Sequence, residues 1–125
     1  MEDTQLLKGV LEGCVLAIIR KGETYGYEIL SVMEEAGFED LAEGTLYPVL
    51  TRLDKQGAIA CRKAKSPLGP IRKYYSITAE GEERYQKFCK NFRQLVAQTE
   101  NILNENITPA MKDDNNSDSQ SNEEG

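Results

Sequence analysis

The stretch EGTLYPVLTRLDKQG, residues 43–57, decides how this chain folds. Its apolar residues recur at intervals of three and four, as on one face of a short helix: Leu46, Val49, Leu50 and Leu53. Pro48 is tolerated in the first turn of a helix but clashes with the backbone further in. The helix is therefore expected to begin near Gly44 or Thr45 and to end at Gly57. Its other face forms a solvated surface or contacts a partner, and it carries Thr45, Tyr47, Thr51, Arg52 and Lys55.

Two further helical patterns precede this stretch. Residues 5–22 carry an apolar stripe so wide that the helix should be buried on more than one side, with a glycine as its stop. Residues 23–37 predict a second, shorter helix. Its inward residues are expected to be Ile29, Leu30 and Met33, and Gly37 is its expected C-cap.

A strand pattern and a long helix follow the quoted stretch. Two runs on either side of the turn sequence SPLGP, residues 66–70, predict a two-stranded hairpin with basic arms. Thr78 can cap a last helix from about Ala79 to Asn104. Its apolar residues form a heptad seam that is longer than a domain of this size can cover, so part of it is expected to pack on a second copy.

The order helix, helix, helix, basic hairpin is that of a winged helix-turn-helix. The predicted fold class is mainly α with a small β hairpin: a winged helix-turn-helix plus a long C-terminal dimerisation helix. The expected boundaries are 1–78 for the winged domain, whose first helix joins the dimer interface, and 79–105 for the dimerisation helix. Residues 106–125 are expected to form a disordered acidic tail, because they are polar and nearly without apolar side chains.

The net charge of -6 hides one basic segment. Residues 44–76 carry a net charge of +6, whereas residues 1–43 carry -7. A basic segment that contains both the quoted helix and the hairpin is the electrostatic pattern of a nucleic-acid-binding surface. Double-stranded DNA is therefore the expected partner.

Composition argues against several other classes of function. The chain has no histidine, and its three cysteines, Cys14, Cys61 and Cys89, are widely spaced, so neither a metal site nor a disulfide framework is indicated. No cofactor is expected, and nothing argues for an enzyme. The longest apolar run, residues 14–19, is too short to span a membrane, and the acidic N-terminus lacks a targeting signal. A cytoplasmic protein, nucleoid-associated when bound to DNA, is expected.

Three stretches of the chain, GYEIL, EGTLYPVLTRLDKQG and RKYYSITAEG, resemble the PadR-like family of bacterial transcriptional regulators. The resemblance spans about residues 6–103, and the run G-T-L-Y-P-x-L-x-R-L joined to R-K-Y-Y-x-I-T-x-x-G is highly specific. Resemblance to the short-chain subgroup implies a homodimer, built from the first and last helices, that represses promoters by binding inverted repeats. It also implies release by a small aromatic or hydrophobic effector. One subgroup stacks drugs on a tryptophan of the last helix, and this sequence has no tryptophan.

The expected DNA-binding residues lie at the start of the second helix, on the quoted helix and on the hairpin: Tyr27, Gly44, Thr45, Tyr47, Thr51, Arg52, Lys55, Lys63, Lys65, Arg72 and Lys73. The helix residues could reach base edges or phosphates, whereas the hairpin cations would neutralise the backbone without reading sequence. The resemblance implies that Tyr27 sets its hydroxyl on a phosphate. Several of these residues also have a purely structural interpretation. Tyr27 could be a half-buried aromatic residue, Tyr47 could pack under the hairpin, and Arg52 could pair with Asp54 or Glu43. The basic hairpin could be an ordinary solvated one.

The expected dimer interface comprises Leu7, Leu11, Tyr85, Phe88, Phe92, Leu95, Val96, Thr99 and Ile102. A candidate effector pocket comprises Val15, Phe88, Cys89 and Phe92, although the heptad spacing favours ordinary dimer core for the two phenylalanines. The predicted function is a dimeric DNA-binding transcriptional regulator, a repressor that binds an inverted-repeat operator and is released by a small aromatic or hydrophobic effector. The alternative is a winged-helix module that binds protein rather than specific DNA, as the acidic total charge would allow.

Overall fold

The computed structural model describes residues 4–65, 67–105, 107 and 109 of the chain. In these residues the elements follow in the order α1 (Thr4–Ile19), β1 (Thr24–Tyr25), α2 (Gly26–Glu35), α3 (Glu43–Lys55), β2 (Ile59–Lys65), β3 (Ile71–Ile77) and α4 (Ala79–Leu103). This order confirms the predicted fold class, including the long last helix. The chain divides within α4 into two compact units, Met1–Cys89 and Lys90–Gly125. The predicted acidic tail lies outside the described residues, apart from two positions near its start.

The core of the first unit forms where the apolar stripes of α1, α2 and α3 meet. The four stripe residues of α3 are buried as predicted, and three of them, Leu46, Leu50 and Leu53, are inaccessible to solvent. Fully burying such a side chain stabilises the fold by about 2 kcal/mol, so the stripe fixes which face of α3 points inward. The buried core residues are Leu11, Val15, Leu16, Ile19, Ile29, Met33, Leu46, Val49, Leu50, Leu53, Ala58, Ile59 and Tyr75.

Helices α2 and α3 both end in a hydrogen-bonded turn around a glycine. After α3, the Ala58 amide donates to the Leu53 carbonyl at 2.9 Å and the Gly57 amide donates to the Asp54 carbonyl at 3.1 Å. Gly57 has φ +80°, a left-handed conformation that an L side chain disfavours. Gly37, at φ +113°, takes the same place after α2. Both glycine stops were predicted.

The start of α3 differs slightly from the expectation. The helix begins at Glu43, one residue before Gly44, so Pro48 lies in the second turn rather than the first. Proline has no amide hydrogen, and the carbonyl four residues earlier, that of Gly44, therefore receives no bond from it. Both residues are exposed, so water can reach this carbonyl and the interruption is tolerated.

The predicted two-stranded hairpin is part of a three-stranded sheet in the order β1-β3-β2. Strand β1, which sequence reasoning placed in the second helix, pairs antiparallel with β3 through Thr24 opposite Tyr75 and Tyr25 opposite Tyr74. Burial explains the difference, because Thr24 is only 5% exposed and the Tyr25 ring meets the Tyr74 ring edge-on at 5.8 Å. Two residues are too few to show a strand period in the sequence.

Helix α4 is anchored at its first residues to the end of α3. The Thr78 hydroxyl oxygen accepts a bond from the Gly81 amide at 3.0 Å, which confirms it as the N-cap. The same hydroxyl lies 2.6 Å and 2.9 Å from the carbonyl oxygens of Gly57 and Ala58, to which it donates. One threonine therefore caps α4 and ties it to the turn that ends α3.

Candidate nucleic-acid interface

The face of α3 that points away from the core carries the predicted contact residues. Gly44, Thr51, Arg52 and Lys55 are exposed, and Thr45 is half-buried. Among the described residues, Arg52 forms no ion pair, so the alternative of a salt bridge within the helix is not seen. The cations of α3 remain available to an external anion.

A groove of about 440 Å³ lies between the start of α2, the outer face of α3 and strand β3. It brings together five of the predicted DNA-binding residues, from three separate elements. Tyrosine hydroxyls and two cations line it, a combination suited to a phosphate-bearing partner. The lining residues are Tyr25, Gly26, Tyr27, Tyr47, Thr51, Ile71, Arg72, Lys73 and Tyr75.

Tyr47 was expected either to contact DNA or to pack under the hairpin, and its position is intermediate between these two roles. Its ring packs against Gly26 at the start of α2, yet 38% of the residue remains exposed in the groove. Partial burial, together with the nearby Glu43 carboxylate, raises the pKa of the Tyr47 hydroxyl above its usual value. The hydroxyl therefore stays protonated near neutral pH and can donate a hydrogen bond.

Tyr27 and Tyr75 lie at opposite extremes of exposure in the same groove. Tyr27 is 68% exposed, whereas Tyr75 is only 5% exposed and belongs to the core. Burial raises the pKa of Tyr75 to about 12, so this hydroxyl too is neutral under ordinary conditions. The exposed tyrosine is available to a partner, and the buried one supports the groove from the core side.

The hairpin formed by β2 and β3, here called the wing, places like charges opposite one another. Lys63 pairs in register with Lys73, and both are exposed. Like charges directly opposite on a sheet are destabilising by a few tenths of a kcal/mol or more. Lys65 lies on the same face as this pair, whereas Arg72 is exposed on the opposite face of the sheet. A polyanion bound to the wing would relieve this repulsion.

The two arginines of the wing have different environments. Arg62 donates from Nε and Nη2 to the Glu23 carboxylate at 2.6 and 2.9 Å, and this bond lowers the pKa of that carboxyl. Both guanidinium groups lie over a tyrosine ring, that of Arg62 4.9 Å from the Tyr74 centroid and that of Arg72 4.2 Å from the Tyr25 centroid. Arg72, at the edge of the groove, has no carboxylate partner among the described residues. A cation–π contact leaves the guanidinium donors free to bind another anion. Arg72 is thus the better placed of the two to contact a partner.

Sequence reasoning missed Tyr25, Gly26, Ile71 and Tyr75 as parts of this groove. The two-residue alternation of β3 places Ile71 and Tyr75 on the same face as Lys73, so that signal was present in the sequence. Gly26 was visible only as a helix start, because nothing local reveals which ring will lie against it. Tyr25 reaches the groove only through strand β1.

The residues predicted for a dimer interface and an effector pocket separate into three groups. Leu11 and Val15 are fully buried in the core and Leu7 nearly so, which leaves them almost no surface for a partner or ligand. Tyr85, Phe88 and Cys89 are half-buried, and the Phe88 ring packs against Gly13 of α1. The remaining residues, all exposed, are Phe92, Leu95, Val96, Thr99 and Ile102.

Other kinds of site are not indicated by the described part of the chain. It contains no group of three or more residues that could hold a metal ion. None of its helices is both long and apolar enough to cross a membrane. The three cysteines are free thiols there, and burial raises the pKa of Cys14, which makes it less reactive.

These features define a winged helix-turn-helix protein: three packed helices, a wing with lysines opposite one another, and a groove between the wing and the third helix. Residues 15–87 match the transcriptional regulator PadR-like family. The chain belongs to this family of transcriptional regulators, which agrees with the expectation that it is not an enzyme.

Known structures agree with this assignment. A Streptococcus transcriptional regulator is 48% identical, with a TM-score of 0.70, over 78% of this chain and 96% of that one. A PadR-like transcriptional regulator from Bacillus cereus is 42% identical, with a TM-score of 0.70, over 79% of this chain and 96% of that one.

The negative transcriptional regulator PadR of Bacillus subtilis is also related. It is 34% identical over 76 residues, which are 59% of this chain and 42% of that protein. Its crystal structure in complex with operator DNA matches with a TM-score of 0.59 and 29% identity, over 64% of this chain and 45% of that one.

Proposed function

We propose that this regulator is a dimeric repressor that binds an inverted-repeat operator and is released by a small aromatic or hydrophobic effector. The groove between α3 and the wing is the observation that carries the DNA-binding part. It gathers Tyr27, Tyr47, Thr51, Arg72 and Lys73 around a space open to a nucleic-acid backbone. The complex of the related Bacillus subtilis protein with operator DNA supports this part, and that protein's description as a negative regulator supports repression.

In the proposed complex α3 enters the major groove and the wing follows the backbone. The outward side chains of α3 then meet base edges, where Arg52 suits the acceptors of guanine. The first turns of α2 and α3 have no side-chain cap in the described structure, so their amides can donate to phosphates. The wing lysines would add affinity without sequence preference.

The proposed dimer rests on the exposed apolar residues of α4. Phe92, Leu95 and Ile102 are 39%, 62% and 67% exposed, although they lie on one heptad seam. Apolar residues repeated at this spacing are buried when a second helix packs on them. A twofold dimer would place two α3 helices about one turn of DNA, roughly 34 Å, apart, as an inverted repeat requires.

The proposed effector site lies near Phe88 and Cys89, which are half-buried in the first unit. A planar aromatic ligand could stack on Phe88 if the ring moves away from Gly13. The test is a panel of small planar aromatic compounds added to the protein–DNA complex. Failure of every member to release DNA would argue against the effector and leave the DNA-binding proposal standing.

The DNA-binding proposal is tested by the salt dependence of binding to a DNA fragment from upstream of the protein's own gene. Each phosphate contact contributes a slope of about 0.9 in log affinity against log salt. The variant Lys63→Ala/Lys65→Ala should lower this slope by the contribution of about two phosphate contacts. It should also weaken binding to all DNA sequences alike, as measured by fluorescence anisotropy. The control is Lys87→Ala/Lys90→Ala, which removes the same charge from exposed positions of α4. An unchanged slope in the wing variant would contradict the proposed role, and a flat slope in the wild type would favour the protein-binding alternative.

A further inference from the structure

The start of α2 contains a space that is filled by a side chain of α3. Gly26, the first residue of α2, is buried. A Cβ atom built there would lie 2.8 Å from both Cε1 and Cζ of Tyr47 and closer still to its hydroxyl oxygen. Carbon atoms in contact prefer separations of about 3.5–4.0 Å. The Tyr47 ring therefore occupies a position that only glycine at residue 26 permits.

A side chain at residue 26 would displace the ring rather than the helices. Both helices are held by core residues, with Ile29 and Leu46 fully buried, whereas the hydroxyl end of Tyr47 is the far end of a side chain with two torsions. Gly26 also does not have positive φ, so alanine is compatible with its backbone. The protein would tolerate the change, with Tyr47 in another position.

The position of Tyr47 matters because the ring borders the groove. Thr51, one turn later in α3, lines the groove beside it, and Arg72 and Lys73 line it from the wing. A ring displaced from α2 must turn toward solvent or into this space. In the groove it would obstruct a backbone that passes between α3 and the wing, and in either position its hydroxyl would leave its present place.

We propose that Gly26 is a positioning residue for DNA binding: by leaving room for the Tyr47 ring against α2, it keeps the groove open and aims the tyrosine hydroxyl into it. The inference rests on the proposed DNA-binding function and concerns how one contact residue is placed. It assigns a role to a residue that makes no contact of its own through a side chain.

The experiment compares wild type, Gly26→Ala, Tyr47→Ala and the double variant for affinity to the upstream DNA fragment. Residues in contact show coupling that corresponds to between about twofold and a hundredfold. Gly26→Ala should therefore lower affinity by about tenfold in the wild type and have almost no further effect when residue 47 is alanine. Equal losses in both backgrounds, or no loss in either, would overturn the proposal. Gly9→Ala is the matched control, because a Cβ at Gly9 meets nothing within 4 Å.

The placement of the ring is measured separately in the free protein. Tyrosine ring carbons labelled with ¹³C give NMR signals, and the variant Tyr47→Phe identifies the signal of Tyr47. Gly26→Ala should shift this signal and leave the thermal midpoint within a few degrees of the wild type. An unshifted signal overturns the inference. If the wild type itself fails to bind DNA, the proposed function is overturned, and the NMR result still decides whether Gly26 positions Tyr47.

Discussion

Gly81 shows at the scale of one residue how a missing side chain joins two elements. It is buried in the first turn of α4, and a Cβ there would collide with the carbonyl oxygen of Ala58 and lie 2.9 Å from Cγ1 of Ile77. The neighbour in this case is backbone that already accepts a bond from Thr78. Unlike the tyrosine ring beside Gly26, it cannot move without disturbing the end of α3.

The variant Gly81→Ala should therefore be strongly destabilised. We expect its free energy of unfolding to fall by about 2 kcal/mol, the typical cost of overpacking a close contact. Gly9→Ala provides the control, because the space around Gly9 is open and alanine favours a helix by up to about 1 kcal/mol. Urea denaturation measures both. A stable Gly81→Ala variant would contradict the close approach of α4 to Ala58.

The carboxyl group of Glu82 makes stability depend on pH. Arg20 donates to it at 2.9 and 2.7 Å, and this bond, with another from Gln86, lowers the pKa of Glu82 to about 2. A group with a lower pKa in the folded state adds stability above its unfolded pKa and loses it as pH falls through the folded value. The stability difference between wild type and Glu82→Gln should thus be constant above about pH 5.5 and shrink between about pH 4.5 and 2.

This pH dependence is measured by urea denaturation at a series of pH values. Glu83→Gln is the control, since Glu83 is exposed on the same helix. A difference between wild type and Glu82→Gln that stays constant down to pH 2 would show that the ion pair with Arg20 does not form in solution.

At the scale of elements, the first three turns of α4 are fastened to α1 and to the end of α3. Arg84 donates to Gln56 at 2.6 Å and to Glu12 at 3.2 Å, and the Phe88 ring packs against Gly13. Ion pairs that are this exposed contribute about 1 kcal/mol or less. The capping threonine and the packed ring therefore contribute more to the position of α4 than the charges do.

The cap gives a prediction at this scale. Thr78→Ala removes both the acceptor for the Gly81 amide and the donor to the carbonyls before it, and should lower the free energy of unfolding by about 1–2 kcal/mol. Thr78→Ser retains the hydroxyl and should lose less than half as much. Thermal denaturation of the two variants measures both losses of stability. Equal losses in Thr78→Ala and Thr78→Ser would mean that the hydroxyl is not the stabilising group.

At the scale of the whole molecule, the heptad seam of α4 changes character along its length. Tyr85 and Phe88 are half-buried in the first unit, whereas Leu95 and Ile102 are well exposed in the second. A repeated apolar pattern of this kind is seldom left exposed to water, and a second copy of α4 would cover it. The proposed dimer would thus form through the apolar surface that the chain's own core leaves uncovered.

Charges placed on the exposed seam should therefore separate the proposed dimer. Leu95→Glu/Ile102→Glu is expected to halve the mass measured by light scattering at micromolar concentration, because each carboxylate would be buried without a partner. Gln94→Glu/Gln98→Glu adds the same charge at exposed polar positions and should leave the mass unchanged. A wild-type protein of monomeric mass would contradict the proposed dimer directly.

The periodic elements of the fold were predictable from sequence, because their signal is local. The stripe of α3, the glycine stops at Gly37 and Gly57 and the cap at Thr78 are each visible within one turn of the chain. Strand β1 was not, since a two-residue strand exists only through its pairing with β3. The positive charge of the wing was predictable as well, because the charge of a segment follows from its own residues.

By itself, then, the sequence determined the class of fold, the inward faces of α2 and α3 and the positive wing, since periodicity and charge are carried by neighbouring residues. Only the tertiary structure decided which of the candidate residues meet. It buried Leu11 and Val15 in the core, paired Arg62 with Glu23 and set Tyr47 against Gly26. These outcomes depend on close packing between residues about twenty or more positions apart, and no local pattern in a sequence records which side chain will fill which space.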